Sequence, residues 1–210
     1  MNINGNVGPL STTASLSAGT QPLVRLGNMG DMIASELHGR YYEACYRNTV
    51  YNGANQSGVT TSVGLATTYV GICLANPFGS SVNLVLNKVG YSFLLAFPAT
   101  SALGLMMGFN STTNVSFGTA LTPRSSLIAG SGVGQGQIGS NATLTGTPTV
   151  SHYFGTGDTG AITTTPMSQG IVDFEGSVIL RPGAYVAFYT STASGASAFV
   201  GSMQWEEVPL

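Results

Sequence analysis

The chain has 210 residues and a net charge of −2, and only 7% of its residues are charged, against roughly 25% in an ordinary soluble domain. Its hydrophobic fraction of 43% is enough for a core and excludes a disordered chain. The first 24 residues contain no Lys or Arg, which excludes the basic arm that neutralises phosphates in nucleic-acid-packaging proteins. A chain with so few charges either uses Ser, Thr and Asn as its polar surface or has much of its surface covered by other chains. Both options favour a structural or binding protein over an enzyme.

The first 22 residues have the composition of an extended N-terminal arm. They are rich in Asn, Gly, Ser and Thr, and they include Pro9 and Pro22. A segment of this kind is either a frayed terminus or is ordered by lying on a neighbour. We expect contact with a neighbouring subunit, through the scattered apolar residues Ile3, Val7, Leu10 and Leu16. Residues 23–210 are expected to form one domain.

Two strands are predicted in the first part of that domain. Alternation of side chains predicts a strand from Arg40 to Tyr51, and Asn52-Gly53 is typical of a turn. A second strand-like run covers residues 63–76, and Asn76-Pro77 closes it.

A change of parity marks the next predicted strand. Large apolar residues occupy even positions from Val82 to Leu86 and odd positions from Val89 to Phe97. Because alternate residues of a strand point to opposite faces, the change predicts a β-bulge at Asn87-Lys88. Pro98 is expected to end the strand.

A Gly/Ser/Thr-rich segment at residues 125–148 follows a further short strand, which is predicted at residues 103–109. Its composition is that of a phosphate-binding loop, but it lacks the Gly-Lys-Ser/Thr ending and no helix follows it. We interpret it as a long surface loop or a flat edge strand. Residues 156–165 are interpreted as a second loop.

The last forty residues carry the clearest pattern. Strands are predicted at residues 171–180, 185–190 and 197–206, and Arg181-Pro-Gly-Ala184 is typical of a type II turn that makes the first two a hairpin. In the last strand Phe199, Met203 and Trp205 share one face, so we expect Trp205 in the core. Short strands, Gly/Pro turns and no long helix predict an all-β fold, a jelly-roll β-sandwich.

Few residues are suited to catalysis or to metal binding. Histidine occurs only at His38 and His152, and no Gly-x-Ser-x-Gly elbow precedes a helix. Asp158, Asp173 and Glu175 are candidates for a calcium site, but no Asp-x-Asp-x-Asp loop supports one. We expect no enzyme activity, no bound metal and no cofactor.

Cysteine usage and apolar runs indicate the compartment. Cys45 and Cys73 are too few for a disulfide scaffold, and we interpret them as small buried residues, with one bridge left possible. No basic segment followed by an apolar run stands at the N-terminus, so we expect no secretory signal. The longest apolar stretch, Tyr91–Phe97, is too short to span a bilayer, so synthesis in the host cytoplasm without a membrane partner is expected.

Several short phrases of residues 23–210 resemble virion structural proteins of tailed bacteriophages. The phrases are Arg25-Leu-Gly-Asn-Met-Gly-Asp31, Glu36-Leu-His-Gly-Arg-Tyr-Tyr-Glu-Ala44, Leu74-Ala-Asn-Pro-Phe-Gly-Ser80, Asn83-Leu-Val-Leu-Asn87, Leu180-Arg-Pro-Gly-Ala-Tyr185 and Gly201-Ser-Met-Gln-Trp-Glu-Glu-Val-Pro209. Proteins of that family often have jelly rolls like that of tumour necrosis factor and assemble as trimers. The resemblance implies a virion location, a homotrimer, and contact with the major capsid protein or other virion proteins.

Two-sided apolar strands give the physical reason to expect assembly. The segments Tyr91–Phe97 and Ala184–Phe188 are apolar on both faces, whereas one sandwich core covers one face. The other face must meet a subunit, the capsid or a folded-back loop, and such interfaces avoid charges because an unpaired buried charge is costly. Interface candidates here are Tyr91, Phe93 and Tyr185.

Three functions follow from these features. The first is a non-enzymatic virion structural protein, a capsid decoration or cement protein that stabilises the phage head through apolar contacts. The alternative is a receptor- or glycan-binding knob of a phage tail or vertex that uses exposed tyrosines and loops. The third is a polysaccharide-degrading enzyme, which would gather its carboxylates in a cleft, whereas here they are dispersed along the sequence.

Overall fold

The computed structural model describes residues 5–6, 24–25, 39–130, 132–157, 159 and 169–210. The chain divides into two compact units, Met1–Tyr42 and Glu43–Leu210. In the first unit β1 (Gly5–Asn6) and β2 (Val24–Arg25) pair in parallel. The predicted arm contacts of Ile3, Val7, Leu10 and Leu16 fall outside the described residues and stay predictions.

Strands make up most of the second unit, and a short helix, α1 (Tyr42–Tyr46), precedes them. The strands are β3 (Val50–Ala54), β4 (Thr68–Tyr69), β5 (Cys73–Ala75), β6 (Val82–Phe93), β7 (Ser101–Phe109), β8 (Ser116–Leu121), β9 (Arg124–Ser125), β10 (Gln137–Thr143), β11 (Thr149–Gly157), β12 (Gln169–Leu180), β13 (Ala184–Thr190) and β14 (Phe199–Pro209). Within the described residues no helix is long and apolar enough to cross a membrane.

Two antiparallel sheets form the sandwich. The seven-stranded sheet has the order β11-β7-β13-β5-β10-β4, with β8 paired to β10 as well, and the five-stranded sheet has the order β12-β6-β14-β3-β9. Aromatic and aliphatic side chains from both sheets fill the space between them, including Leu84, Leu105, Phe188, Phe199 and Trp205. The predicted all-β fold of the jelly-roll sandwich type is confirmed.

The segment from Arg40 to Tyr51 is not the single strand that its alternation predicts. Residues Tyr42–Tyr46 are helical, and β3 begins only at Val50. Asn48 ends the helical turn with a positive φ of 62°, a conformation that Asn tolerates better than most residues. Tyrosines at a spacing of four residues satisfy a helical period as well as an alternating one, so the pattern alone misassigned this segment.

The predicted turn at Asn52-Gly53 is also wrong, since both residues lie inside β3. Gly53 is needed there for close packing. A Cβ at this position would lie 2.7 Å from two side-chain carbons of Ile138, which β10 contributes from the other sheet. The glycine therefore marks a close approach of the two sheets.

The predicted bulge at Asn87-Lys88 is confirmed. On β14, Gln204 pairs with Lys88 and Trp205 pairs with Leu86, so Asn87 is left without a partner residue. The extra residue lets Leu86 and Val89 both face the core although their positions differ in parity. The strand itself ends at Phe93, four residues before the predicted end.

The turn at Arg181–Ala184 has the predicted type II geometry, but it does not join a hairpin. Ala184 N donates to Arg181 O at 2.9 Å, and Gly183 has a φ of 90°. The strand before the turn, β12, pairs with β6, whereas β13 after it pairs with β5 and β7 in the other sheet. The turn therefore carries the chain from one sheet to the other.

The Gly-rich segment contains an interior strand, so its interpretation as a flat edge strand is wrong. Residues 137–143 form β10, which pairs with β4 and β5 on one side and with β8 on the other. Of the described residues between β9 and β10, 126–130 and 132–136 form no strand or helix. Of the second predicted loop, residues 156–157 belong to β11, while residue 158 and residues 160–168 lie outside the described residues.

The central strands of the seven-stranded sheet are buried on both faces by this chain alone. A second cluster of buried residues covers its outer face and consists of Tyr69, Cys73, Ala75, Met106, Val115, Ala142, Leu144, Tyr185 and Ala187. The loop after β10 folds over this cluster, and Tyr185 Oη donates to Gly146 O at 3.2 Å. Of the three coverings expected for the two-sided strand β13, the structure therefore provides the folded-back loop.

Trp205 lies in the core, as predicted, and its truncation should be costly. Its side chain is fully buried, stacks on Tyr51 with ring centroids 6.2 Å apart and donates from Nε1 to Glu207 Oε1 at 3.2 Å. We expect Trp205→Ala to lower the free energy of unfolding by about 3–5 kcal/mol in urea denaturation. Val208→Ala, at an exposed position of the same strand, is the matched control and should change it little. A solvent-exposed, red-shifted native fluorescence of this sole tryptophan would contradict the assignment.

The second cluster should make the fold sensitive to alkali. Burial raises the pKa of the Cys73 thiol, raises that of Tyr69, and raises the pKa of Tyr185 to about 12, and the neighbouring Cys73 adds to both tyrosine shifts. In the unfolded chain the cysteine and the tyrosines have their ordinary pKa values of 9.0 and 10.0. The contribution of these protonated groups to the free energy of unfolding is therefore fully present below the unfolded-state pKa values. It is lost as the pH rises toward the folded-state pKa values. Urea denaturation from neutral pH to about pH 11 should show this loss, with a smaller loss for Cys73→Ala. A flat profile would contradict it.

Candidate functional site

The residues considered for catalysis or metal binding do not form a reactive group. His152 is exposed, with Nδ1 3.0 Å from the hydroxyl of Ser151 and its ring edge against Phe174. Asp173 pairs with Lys88 at 3.5 Å and accepts from the Glu175 N–H at 2.9 Å. No group of three His, Cys, Asp or Glu side chains among the described residues is placed to hold a metal ion. His38 and Asp158 lie outside the described residues.

The two cysteines are not bridged. Cys73 is buried in the second cluster, and Cys45 is half-buried in α1; both are free thiols. Burial as small side chains is the interpretation that the sequence favoured.

Glu207 is a buried carboxylate whose oxygens are used inside the fold. Oε2 accepts from the Gln135 N–H at 2.9 Å, and Oε1 accepts from the Gly136 N–H at 2.8 Å and from Trp205 Nε1 at 3.2 Å. These bonds fasten the Gly-rich loop to β14. With these three donors around it, the carboxylate holds the structure together and is not presented to a substrate.

The alternating glycines of that loop fit this packing. A Cβ at Gly134 would lie 2.9 Å from Glu207 Oε1, and a Cβ at Gly136 would lie 2.8 Å from Trp205 Nε1. The loop backbone can approach the carboxylate and the indole only because no side chain intervenes. The glycine pattern that is typical of a phosphate-binding loop therefore serves contact with the chain's own core.

A depression of about 530 Å³ with a mixed polar and apolar lining lies on the outer face of the five-stranded sheet, and we call it the sheet-face depression. Its lining comes from β3, β6, β9, β12 and β14, from the end of β8 and from residues beside these strands, and it includes Asn52, Lys88, Gly90, Arg124, Ile171 and Gln204. Gln204 Nε2 donates to Asn52 Oδ1 at 3.0 Å, and Asn52 Nδ2 donates to the hydroxyl of Ser126 at 2.6 Å. The amides are thus held in a fixed row.

An apolar depression of about 490 Å³ lies beside the turn between β12 and β13, and we call it the arch-end patch. It is lined by Phe109, Ile179, Arg181, Pro182, Ala184 and Leu210. Phe109 is 62% exposed, Ile179 58% and Leu210 70%. Large apolar side chains with this exposure are gathered around one cavity rather than scattered.

The predicted interface residues of the sheets are mostly internal. Phe93 and Tyr185 are buried within the single chain, and Tyr91 is half-buried against the main core. Their apolar character is accounted for inside one subunit and no longer argues for an interface. The sequence did carry a signal for Ile179, since Val178, Ile179 and Leu180 are consecutive apolar residues and must face both sides of β12.

No protein-family model, no curated protein and no solved structure matches the chain.

The hydrogen bonds by which Glu207 fastens the Gly-rich loop to β14, which we call the Glu207 anchor, can be tested with substitutions at two adjacent carboxylates. Glu207→Gln keeps the size of the side chain but replaces one acceptor oxygen by an N–H₂ group that faces N–H donors. We expect a loss of about 1–3 kcal/mol in the free energy of unfolding, together with faster proteolysis of residues 126–136. Glu206→Gln, at the half-buried neighbouring position, should change both much less. Equal effects of the two substitutions would contradict the anchor.

Proposed function

We propose that this protein is a non-enzymatic virion structural protein, a capsid decoration or cement protein that assembles through apolar contacts. The observation that carries the proposal is the arch-end patch on a chain with 7% charged residues. The sequence phrases that resemble virion structural proteins of tailed bacteriophages supply the location. A homotrimer and contact with the major capsid protein or other virion proteins belong to the same proposal.

The arch-end patch has the composition of a protein interface. Single exposed apolar residues are ordinary on protein surfaces, but an apolar cluster with a polar rim marks an interaction site. Phe109, Ile179 and Leu210 provide the apolar centre, and Arg181 lies at its edge. Aromatic residues and arginine are the types that interfaces favour, whereas Lys, Asp and Glu are depleted there.

The shape of the scaffold suits a rigid attachment. Ile179 is fixed by the pairing of β12 with β6, and the turn beside it is closed by the hydrogen bond between Ala184 N and Arg181 O. Phe109 ends β7, which pairs with β13 directly after the turn. Because Ile179 and Phe109 lie on paired strands, little conformational entropy of these two residues is lost when a partner covers them.

The test is sedimentation of the purified protein at micromolar concentration, combined with its binding to heads of the phage that encodes it. We expect a trimer or larger assembly, and Ile179→Ser and Phe109→Ser should each weaken association by about tenfold or more, since each removes a buried apolar contact. Ile128→Ser is the control, because Ile128 is 93% exposed but lies outside the patch.

The response to salt provides an independent check. With six basic and eight acidic residues in the whole chain, association should change little between low and high salt. A stable 21.5 kDa monomer that does not bind heads would overturn the proposal. A loss of several orders of magnitude in affinity at high salt would contradict its apolar basis.

A further inference from the structure

The sheet-face depression gathers charge in a chain that has very little. Lys88 and Arg124 both line it, and they are two of only six basic residues in the sequence. Lys88 is paired with Asp173 at 3.5 Å, and both side chains remain about 40% exposed, 41% and 39%. Within the described residues no carboxylate pairs with Arg124, which is exposed on β9. A guanidinium in this position is suited to a carboxylate supplied by a ligand.

Between the two cations lies hydrogen-bonding capacity that the fold does not use fully. Gln204 donates a hydrogen bond from Nε2 to Asn52 Oδ1, but its Oε1 has no hydrogen-bond partner in the described part of the chain. Turning this amide toward the depression would bring the buried oxygen to a ligand hydroxyl, in exchange for the hydrogen bond between Nε2 and Asn52 Oδ1. Gln56, Thr122 and Ser202 add further polar groups to the lining. Planar amides and hydroxyls in a row match the alternating donors and acceptors of sugar hydroxyl groups.

The hollow exists because the central strands carry small residues there. Gly90 of β6 faces Ser202 of β14, and a Cβ at Gly90 would lie 2.6 Å from the Ser202 hydroxyl. The volume of about 530 Å³ falls within the range of roughly 300–1,000 Å³ of small-ligand sites. Ile171, 77% exposed on the rim, offers an apolar contact for the C–H face of a sugar ring.

Other ligand classes fit the depression less well. The strands beneath its centre, β6, β14 and β3, are each hydrogen-bonded on both sides, so an extended peptide lying in the depression cannot pair with them. Nucleic acid needs a track of cations and aromatic rings for stacking. The described lining has two cations and no aromatic side chain.

We infer that the sheet-face depression is a binding site for an acidic carbohydrate, with the sugar carboxylate at Arg124 and the sugar hydroxyls at Asn52 and Gln204. Lys88 adds positive potential on the other side of the depression, and its ion pair with Asp173 reduces that potential. This inference does not depend on the proposed assembly role, because the arch-end patch shares no lining residue with the depression.

The test is isothermal titration of the full chain with three defined acidic probes: a hyaluronan tetrasaccharide, sialyllactose and trigalacturonate. We expect at least one of these probes to bind. The matching neutral sugar should bind about tenfold or more weakly, because a charge-assisted hydrogen bond is lost. The neutral sugar is lactose for sialyllactose and the carboxyl-reduced form for the other two probes. Arg124→Gln should produce a similar loss. Arg181→Gln, at the exposed arginine of the arch-end patch, is the matched control and should leave sugar binding unchanged.

A second variant keeps the test sharp. Gln204→Glu preserves the shape of the lining but places a negative charge beside the ligand, so it should abolish binding of the acidic sugar while the protein stays folded by circular dichroism. Absence of binding by all three probes at millimolar concentration would overturn the inference, as would equal affinity of a neutral sugar or tighter binding of single-stranded DNA. Arg124→Gln should still assemble, which separates failure here from failure of the proposed function.

Discussion

The fold depends on one constraint, the burial of the central strands of the seven-stranded sheet on both of their faces. Along β13, Tyr185 and Ala187 enter the second cluster while Val186 and Phe188 enter the main core. No face of such a strand tolerates a charge, so its polar groups must be hydroxyls that pair internally. Thr190, at the end of β13, donates to the Thr61 hydroxyl at 2.9 Å in this way. The strands of this sheet accordingly contain no Asp, Glu, Lys or Arg.

The five-stranded sheet differs because it has only one buried face. Its outer face is where Lys88 and Asp173 pair and where Arg124 lies. Charge that the first sheet excludes is thus concentrated on the second, together with the amides of Asn52 and Gln204. The low average charge of the chain conceals this local concentration. A neutral composition therefore does not mean a featureless surface, because a few charges on one face create a strong local preference among ligands.

Features that depend on neighbouring residues could be predicted from the sequence. The bulge at Asn87 follows from the parity of its flanking apolar residues, and the type II turn follows from Pro182-Gly183. Features that depend on distant partners could not. Whether that turn joins a hairpin or crosses between sheets is decided by what covers β13, and the Gly-rich segment is explained only by Trp205 and Glu207, some seventy residues away. Lys88 and Arg124 likewise line the same depression only because β6, β14, β3 and β9 lie side by side.

The sheet-face depression and the arch-end patch both include a residue of β12, at different positions along that strand. Ile171 of the sheet-face depression pairs with Gly90, and Ile179 of the arch-end patch pairs with Val85. Five residues along β6 correspond to roughly 15 Å, which leaves room for a small ligand beside a docked subunit. Both isoleucines lie on the outer side of β12, while Val178 and Leu180 are buried. The depression and the patch therefore occupy different stretches of the same strand, and their linings share no residue.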